Sequence, residues 1–104
     1  MEPAEKLLEN THPGLMLRED YMEPLGLTAY KVAKGTGLTP THVSELLRGG
    51  RKITPPFSLL LGKYLELSPR FWLNLQNRHD MIEAQCRRQD HLARVIPLRQ
   101  QQAA

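Results

Sequence analysis

The chain has 104 residues, of which 40% are hydrophobic and 24% charged, which is typical of one folded domain with a modest core. Its single cysteine, Cys86, excludes an internal disulfide bond and fits a reducing compartment. The first ten residues carry charges and no apolar run, so we expect no secretory signal. The longest apolar stretch, from Phe57 to Gly62, is too short to cross a bilayer. These features predict a cytoplasmic protein without membrane association.

Charge is distributed unevenly along the chain, although the formal net charge is only +3. Residues 1–25 contain six acidic and two basic side chains, a net charge of −4. Residues 26–63 contain six basic side chains against Glu45 alone, a net charge of +5, and residues 64–104 carry +2. A basic central segment is typical of a surface that binds phosphate groups. The alternative is a solvated face whose charge bias has no function.

Start and stop signals divide the chain into predicted helices. A hydroxyl side chain can accept hydrogen bonds from the first turn, and proline fits there because its missing N–H would have no partner anyway. The predicted starts are Pro13, Thr28, Thr39, Thr54 and Ser68. Glycines at 26, 37 and 49–50 stand where helices should stop. The five predicted helices span about residues 13–24, 28–35, 39–48, 54–66 and 68–88.

No segment alternates apolar and polar residues as a strand would, so the predicted fold class is all-α. Gly62 lies inside the fourth predicted helix, where glycine is unfavourable, and we expect a neighbouring helix to approach it closely. Residues 1–11 are predicted to be an N-terminal extension. Residues 81–104 are predicted to continue the fifth helix and to end in a short disordered tail after Pro97.

The segment from Lys31 to Arg51 predicts two short helices joined by a tight turn. A single helix would have to contain Pro40, at a cost of about 3 kcal/mol. Small Ala33 allows a close crossing, Gly37 turns the chain, and the residue six positions later, Val43, fills the wedge between the helices. This spacing indicates a helix-turn-helix motif, whose second helix enters the major groove of DNA.

The polar side of the second helix carries the predicted DNA contacts. Serine and threonine hydroxyls can bond either kind of base edge, and Arg48 can reach guanine or a phosphate. Glu45 has two open interpretations, acceptance from cytosine or an ion pair with Arg48 or Arg51. Arg51 and Lys52, in the following loop, suit phosphate contacts. The predicted DNA-binding residues are Thr28, Thr39, Thr41, His42, Ser44, Glu45, Arg48, Arg51 and Lys52.

Two stretches that flank this motif are more specific than the motif itself: HPGLMLREDYMEPLGLT at residues 12–28 and SPRFWLNLQNRHD at residues 68–80. With them, residues 12–80 resemble the HigA antitoxins of the Xre (Cro/C1-type) helix-turn-helix group. The resemblance implies a lambda-repressor-like five-helix DNA-binding domain. It also implies an antitoxin that binds a HigB-type mRNA-cleaving toxin and, as a dimer, represses its own operon by binding double-stranded operator DNA.

The chain departs from the family pattern at two positions. Such proteins usually carry glutamine after the cap of helix two, where this chain has Ala29, and near the start of helix three, where it has Pro40-Thr41-His42. These changes leave the fold unaffected but put the operator sequence in doubt. Two other interpretations remain open: a solitary regulator of the same fold without a toxin, and a protein-interaction module that does not bind DNA.

The two protein partners are assigned to different parts of the chain. A dimer is expected because one helix-turn-helix covers only half of a two-fold operator. The predicted dimer interface, on the apolar start and middle of helix five, is Phe71, Trp72, Leu75 and Arg78. A toxin that holds mRNA should have a basic face, so we expect it at the acidic front of the chain. That front contains Glu2, Glu5 and Glu9, and the predicted toxin-binding residues Glu19, Asp20 and Glu23.

No catalytic or metal site is predicted. The four histidines are scattered, and no serine or cysteine has an evident base partner. Cys86 with His79 and His91 falls far short of a zinc signature. We therefore expect no enzyme activity, no metal and no cofactor.

Overall fold

A computed structural model describes residues 10–103, and over these residues it contains helices and no strand. The first helix, α1, is a continuous run in which a π-helical segment, Leu17–Met22, lies between Pro13–Met16 and Glu23–Leu25. The helices that follow are α2 (Ala29–Thr36), α3 (Pro40–Leu47), α4 (Pro55–Leu65), α5 (Phe71–Arg87), α6 (Gln89–Arg94) and α7 (Leu98–Ala103). The predicted all-α fold built on five helices, α1 to α5, is confirmed.

Local caps explain where the helices begin and end. The hydroxyl oxygens of Thr28, Thr39 and Thr54 accept hydrogen bonds from the backbone N–H three residues further on, at 3.1, 3.1 and 3.5 Å. One such cap stabilises a helix by about 1 kcal/mol. At the other ends, Gly26 and Gly37 adopt left-handed φ angles of 66° and 83°, which glycine accepts without steric cost. The starts of α2, α3 and α4 therefore follow from the sequence around them.

The Ser68-Pro69 pair forms a turn and does not begin a helix, so the predicted start of the fifth helix was wrong. Ser68 accepts twice: its hydroxyl oxygen from the N–H of Arg70 at 3.2 Å, and its carbonyl oxygen from the N–H of Phe71 at 3.1 Å. Helix α5 consequently begins at Phe71. The same turn explains Gly62, where an added Cβ would lie 2.8 Å from the carbonyl oxygen of Ser68. The close approach at Gly62 comes from this loop, and not from a neighbouring helix as predicted.

The C-terminal segment is helical where the sequence predicted disorder. Helix α7 follows Pro97, and α6 precedes it. The described side chains of both helices are exposed, including the apolar Leu92 and Leu98. Most of the predicted N-terminal extension, with Glu2, Glu5 and Glu9, lies outside the described residues. Between residues 10 and 103, no helix combines the length and the apolar character needed to cross a membrane.

The hydrophobic core lies among α1 to α5. Its buried members are Leu17, Met22, Val32, Ala33, Val43, Leu46, Ile53, Phe57, Leu61 and Trp72. Trp72 is 0% exposed, and the rings of Tyr21 and Phe71 pack edge-on against it at centroid distances of 5.1 and 5.2 Å. The prediction that Trp72 lies in a dimer interface is therefore wrong, because its own domain covers it completely. Leu75 is half-buried and Arg78 is exposed.

Candidate nucleic-acid interface

Helices α2 and α3 form the helix-turn-helix that the spacing predicted. Ala33, Val43 and Leu46 are buried in the core that the two helices share. The turn between the helices is set at Gly37, whose N–H donates to the carbonyl oxygen of Ala33 at 2.9 Å. Ala33 is small, Gly37 is flexible, and Val43 and Leu46 are apolar, as the packing requires. These residues therefore set the angle between α2 and α3. The polar side of α3 is left free of this packing.

The start of α1 packs against the end of α3. An added Cβ at Gly14 would overlap the carbonyl oxygen of Leu46, so only glycine permits this approach of the two backbones. Beside it, a Cβ at Gly49 would lie 3.7 Å from the ring of His12. The C-terminal end of α3 is therefore held in place by α1.

The polar face of α3 divides into exposed and partly packed side chains. Thr41 and Arg48 are exposed, and Ser44 is half-buried beside them. His42 is also half-buried, and its ring centroid lies 6.0 Å from that of Phe57, so this side chain faces α4. Exposed hydroxyl and guanidinium groups are suited to hydrogen bonds with base edges. Of the predicted contacts on this face, Thr41 and Arg48 are accessible to solvent and Ser44 is partly accessible.

The two threonine caps also lie on the exposed surface. Thr28 and Thr39 are exposed at the starts of α2 and α3. Each hydroxyl oxygen already accepts a backbone hydrogen bond, but its hydrogen can still donate. Free donors at a helix start are suited to phosphate oxygens. The arrangement is compatible with the predicted DNA-binding role of both residues.

Glu45 is engaged in an ion pair with Arg51. The Nε of Arg51 donates to a carboxylate oxygen of Glu45 at 2.6 Å. This hydrogen bond lowers the pKa of Glu45 below its ordinary value, and the positive charge of Arg51 adds to the effect. Of the two interpretations left open by the sequence, the structure favours the ion pair.

Lys52 is held by a hydrogen-bonded network on α5. Its ammonium lies 3.2 Å from a carboxylate oxygen of Asp80. Gln76, which is buried, accepts from the N–H of Ile53 at 2.8 Å and donates to Asp80 at 3.0 Å. Burial raises the pKa of Asp80, but hydrogen bonds from His79, Gln76 and Lys52 outweigh it and lower that pKa. Sequence reasoning missed Gln76 and Asp80, since 23 and 28 residues separate them from their loop partners.

These pairs orient the two loop cations without withdrawing them from solvent. The side chain of Lys52 is 71% exposed and that of Arg51 is 40% exposed. Exposed ion pairs contribute about 0–1 kcal/mol, so a phosphate group competes easily for either cation. The loop that follows α3 therefore presents Arg51 and Lys52 beside this helix with side chains that remain accessible.

His12 caps α1 with its ring. Its Nδ1 accepts from the N–H of Gly14 at 2.9 Å, which requires the neutral ring with the proton on Nε2. The ring of His79 lies edge-on at 5.3 Å. Burial is the largest cause that lowers the pKa of His12 from 6.5, and the charge of His79 adds to it, against opposing effects of Asp80 and Glu83.

This cap predicts a loss of stability in mild acid. Because the pKa of His12 is lower in the folded state, the unfolded chain takes up this proton first as the pH falls below 6.5. We expect the free energy of unfolding to decrease by up to about 1 kcal/mol, the value of one N-cap, between pH 7.5 and 5. His12→Asn keeps a capping side chain that does not titrate and should flatten this part of the profile. The pH dependence of the free energy of unfolding is measured by urea unfolding at several pH values, with His91→Asn as the control. If His12→Asn shows the same pH dependence as the wild type, another group causes the loss of stability.

The predicted toxin-binding residues lie on α1. Glu19 and Asp20 belong to the π-helical segment, and Glu23 follows it directly. All three side chains are exposed. Arg18 lies 4.0 Å from Glu19, a distance at the limit of an ion pair. The acidic charge of this surface is therefore largely uncompensated by neighbours in the described chain.

The fold and the exposed face of α3 define a helix-turn-helix protein of the Xre type. Residues 19–72 match the family described as Helix-turn-helix. Virulence-associated protein I of Dichelobacter nodosus is 37% identical over 84% of this chain and 80% of its own length. Antitoxin HigA-1 of Vibrio cholerae is 35% identical over 82% of this chain and 80% of its own length. The chain belongs to the HigA family of helix-turn-helix proteins, as the resemblance in its sequence indicated.

A solved structure extends the likeness to three dimensions. The Pseudomonas aeruginosa antitoxin HigA, solved with the higBA promoter, matches with a TM-score of 0.80. The match covers 86% of this chain and 98% of that one at 24% sequence identity. At this identity the likeness demonstrates a common fold.

Proposed function

We propose that this chain is an antitoxin that binds operator DNA through α3 and represses its own operon. The observation that carries the proposal is the fixed, exposed face of α3, with Thr41, Ser44 and Arg48 free for base contacts. The loop that follows adds two cations at the position where phosphate contacts occur in helix-turn-helix proteins. The name of the Vibrio cholerae relative, Antitoxin HigA-1, supports the antitoxin part of the proposal.

The chemistry of DNA binding follows from these positions. With α3 in the major groove, Arg48 can donate two hydrogen bonds to guanine or one to a nearby phosphate. Thr41 and Ser44 can donate or accept, so they suit several bases. When DNA binds, Arg51 leaves the carboxylate of Glu45 and Lys52 leaves that of Asp80, and each cation binds a phosphate group instead. Glu45, released from Arg51, is then able to accept from cytosine.

We expect the active form to be a dimer with Phe71, Leu75 and Arg78 at its interface. Two recognition helices then reach successive major grooves, about 34 Å apart. Light scattering at high micromolar concentration should give twice the mass of the chain. Arg78→Glu should shift the mass toward the monomer, whereas Arg70→Glu, with the same change of charge at an exposed site, should not. A strict monomer in solution and on DNA would contradict the dimer.

We expect a small, basic, mRNA-cleaving toxin of the HigB type to bind the acidic surface formed by Glu19, Asp20 and Glu23. Opposite charges accelerate association roughly 10- to 1000-fold, and salt removes the effect. Reversing all three residues to lysine should therefore slow capture of the toxin at least about tenfold at low salt. Binding of DNA should survive, because the acidic surface belongs to a different helix.

The association rate of the toxin encoded by the adjacent reading frame is measured by surface plasmon resonance. The control is a variant with Glu66→Lys and Asp90→Lys, which changes charge in the same direction on other elements. Equal toxin capture by the wild type and the triple variant would show that the toxin does not bind at this acidic surface of α1. Failure of the chain to restore growth when co-expressed with any adjacent frame would favour a solitary regulator.

A further inference from the structure

A groove separates the loop after α3 from the C-terminal end of α5. Gly49 and Lys52 line it on the loop side. Arg87 and Arg88 line it on the side of α5. The groove therefore brings two arginines from the end of the domain next to the loop that carries the expected phosphate contacts, although 35 residues separate Lys52 from Arg87 along the chain.

The two sides of the groove are fixed relative to each other. Gln76 and Ile53 are both buried, and the hydrogen bond between them ties the loop to α5 even when Lys52 leaves Asp80 to bind a phosphate group. Arg87 ends this helix about two turns beyond Asp80, and Arg88 is the residue that caps it. The backbone positions of both arginines are therefore fixed relative to the loop.

The charges of the groove favour an anion at its outer end. Asp80 already accepts hydrogen bonds from Lys52 and Gln76. Glu83 lies 3.8 Å from Nε of Arg87, a weak contact, and the side chain of Arg87 is 69% exposed. Within residues 10–103, Arg88 is exposed and forms no ion pair. Two exposed guanidinium groups thus remain available, and guanidinium matches the geometry of a phosphate group.

We propose that Arg87 and Arg88 bind the DNA backbone, so that the DNA interface continues from the loop after α3 across the groove to the end of α5. The inference rests on the proposed DNA binding and deepens it. A phosphate strand that contacts Lys52 continues along the groove to the two arginines. These contacts carry no sequence information, so they increase affinity for all duplex DNA and not selectivity.

The test is the salt dependence of binding to a duplex of the upstream promoter sequence, measured by fluorescence anisotropy. Removing one phosphate contact reduces the slope of log affinity against log salt by about 0.9. An Arg87→Ala, Arg88→Ala variant loses four phosphate contacts per dimer, so its slope should be reduced by about 3.6. Its affinity should be roughly 900-fold weaker at 0.15 M salt and only about 30-fold weaker at 0.4 M, for promoter and random duplexes alike.

A matched control removes the same charge at the other end of the domain. Lys63 and Arg70 are exposed, and Arg70 lies about 25 Å from Arg87 at a rise of 1.5 Å per residue. That distance exceeds the screening length of about 8 Å at physiological salt, so Lys63→Ala with Arg70→Ala should leave the slope unchanged. Arg87→Lys with Arg88→Lys should retain most of the slope.

The outcomes separate this inference from the proposed function. Normal promoter binding and an unchanged slope in the alanine variant would overturn the inference and leave the recognition helix intact. An equal reduction in the Lys63, Arg70 control would also overturn it, because the effect would then be one of overall charge. Wild-type protein that binds no duplex would refute the proposed function itself. Circular dichroism of each variant verifies that the exposed substitutions leave the fold unchanged.

Discussion

Trp72→Ala should lower the free energy of unfolding by about 3–5 kcal/mol, the usual cost of removing a buried tryptophan. Trp72 is fully buried and packs against Tyr21 and Phe71, so its removal leaves a cavity where α1 meets α5. A domain of this size has a total stability of about 5–15 kcal/mol, so the loss is a large part of it. Urea unfolding followed by circular dichroism measures the change.

Two comparison variants make this prediction specific. Trp72→Phe keeps most of the volume and removes Nε1, which is buried without a hydrogen-bond partner among the described residues, so it should cost far less than alanine. Leu59→Ala, at a residue 57% exposed, should change stability by less than about 0.5 kcal/mol. If Trp72→Ala left a stable monomer that merely failed to dimerise, Trp72 would belong to a subunit interface after all.

Replacing both Thr41 and Arg48 by alanine should reduce binding to the operator at least about 30-fold, since each base contact contributes about 1–3 kcal/mol. Binding to random duplex DNA should change much less, because most of that affinity comes from phosphate contacts. Arg51→Ala with Lys52→Ala should do the opposite: both duplexes bind more weakly, and the salt slope decreases by about 0.9 for each phosphate group that is no longer neutralised. Anisotropy titrations with operator and scrambled duplexes distinguish the two patterns. Equal reductions on both duplexes for the Thr41, Arg48 variant would contradict base reading by α3.

The helices and the helix-turn-helix were predictable because their signals are local. A threonine cap, its helix and the closing glycine lie close together in the chain, as in the run from Thr28 to Gly37. The burial of Ala33 and Val43 followed from their spacing around the turn. The helix start predicted at Ser68-Pro69 was wrong because this residue pair also suits a turn. The packing of the pair against Gly62 distinguishes the turn from a helix start.

The environment of the site depends on contacts that are distant in sequence. Nothing around Lys52 indicates Asp80, and nothing around Ile53 indicates Gln76, because these partners meet only after α5 folds back on the loop. Trp72 was misassigned for a related reason. A large apolar residue at the start of a helix suits a core and an interface equally, and the decision depends on which neighbours cover it.

The most direct test of DNA recognition by α3 is chemical protection of guanine N7, a major-groove atom, in the promoter of the operon that contains this gene. With α3 as the recognition helix of a dimer, the wild-type protein should protect guanines in two half-sites about 34 Å apart along the duplex. Arg48→Ala should remove protection at the guanine that Arg48 contacts and leave the other positions of each half-site less affected. A wild-type complex that forms on this duplex while every guanine N7 remains reactive would contradict recognition through α3.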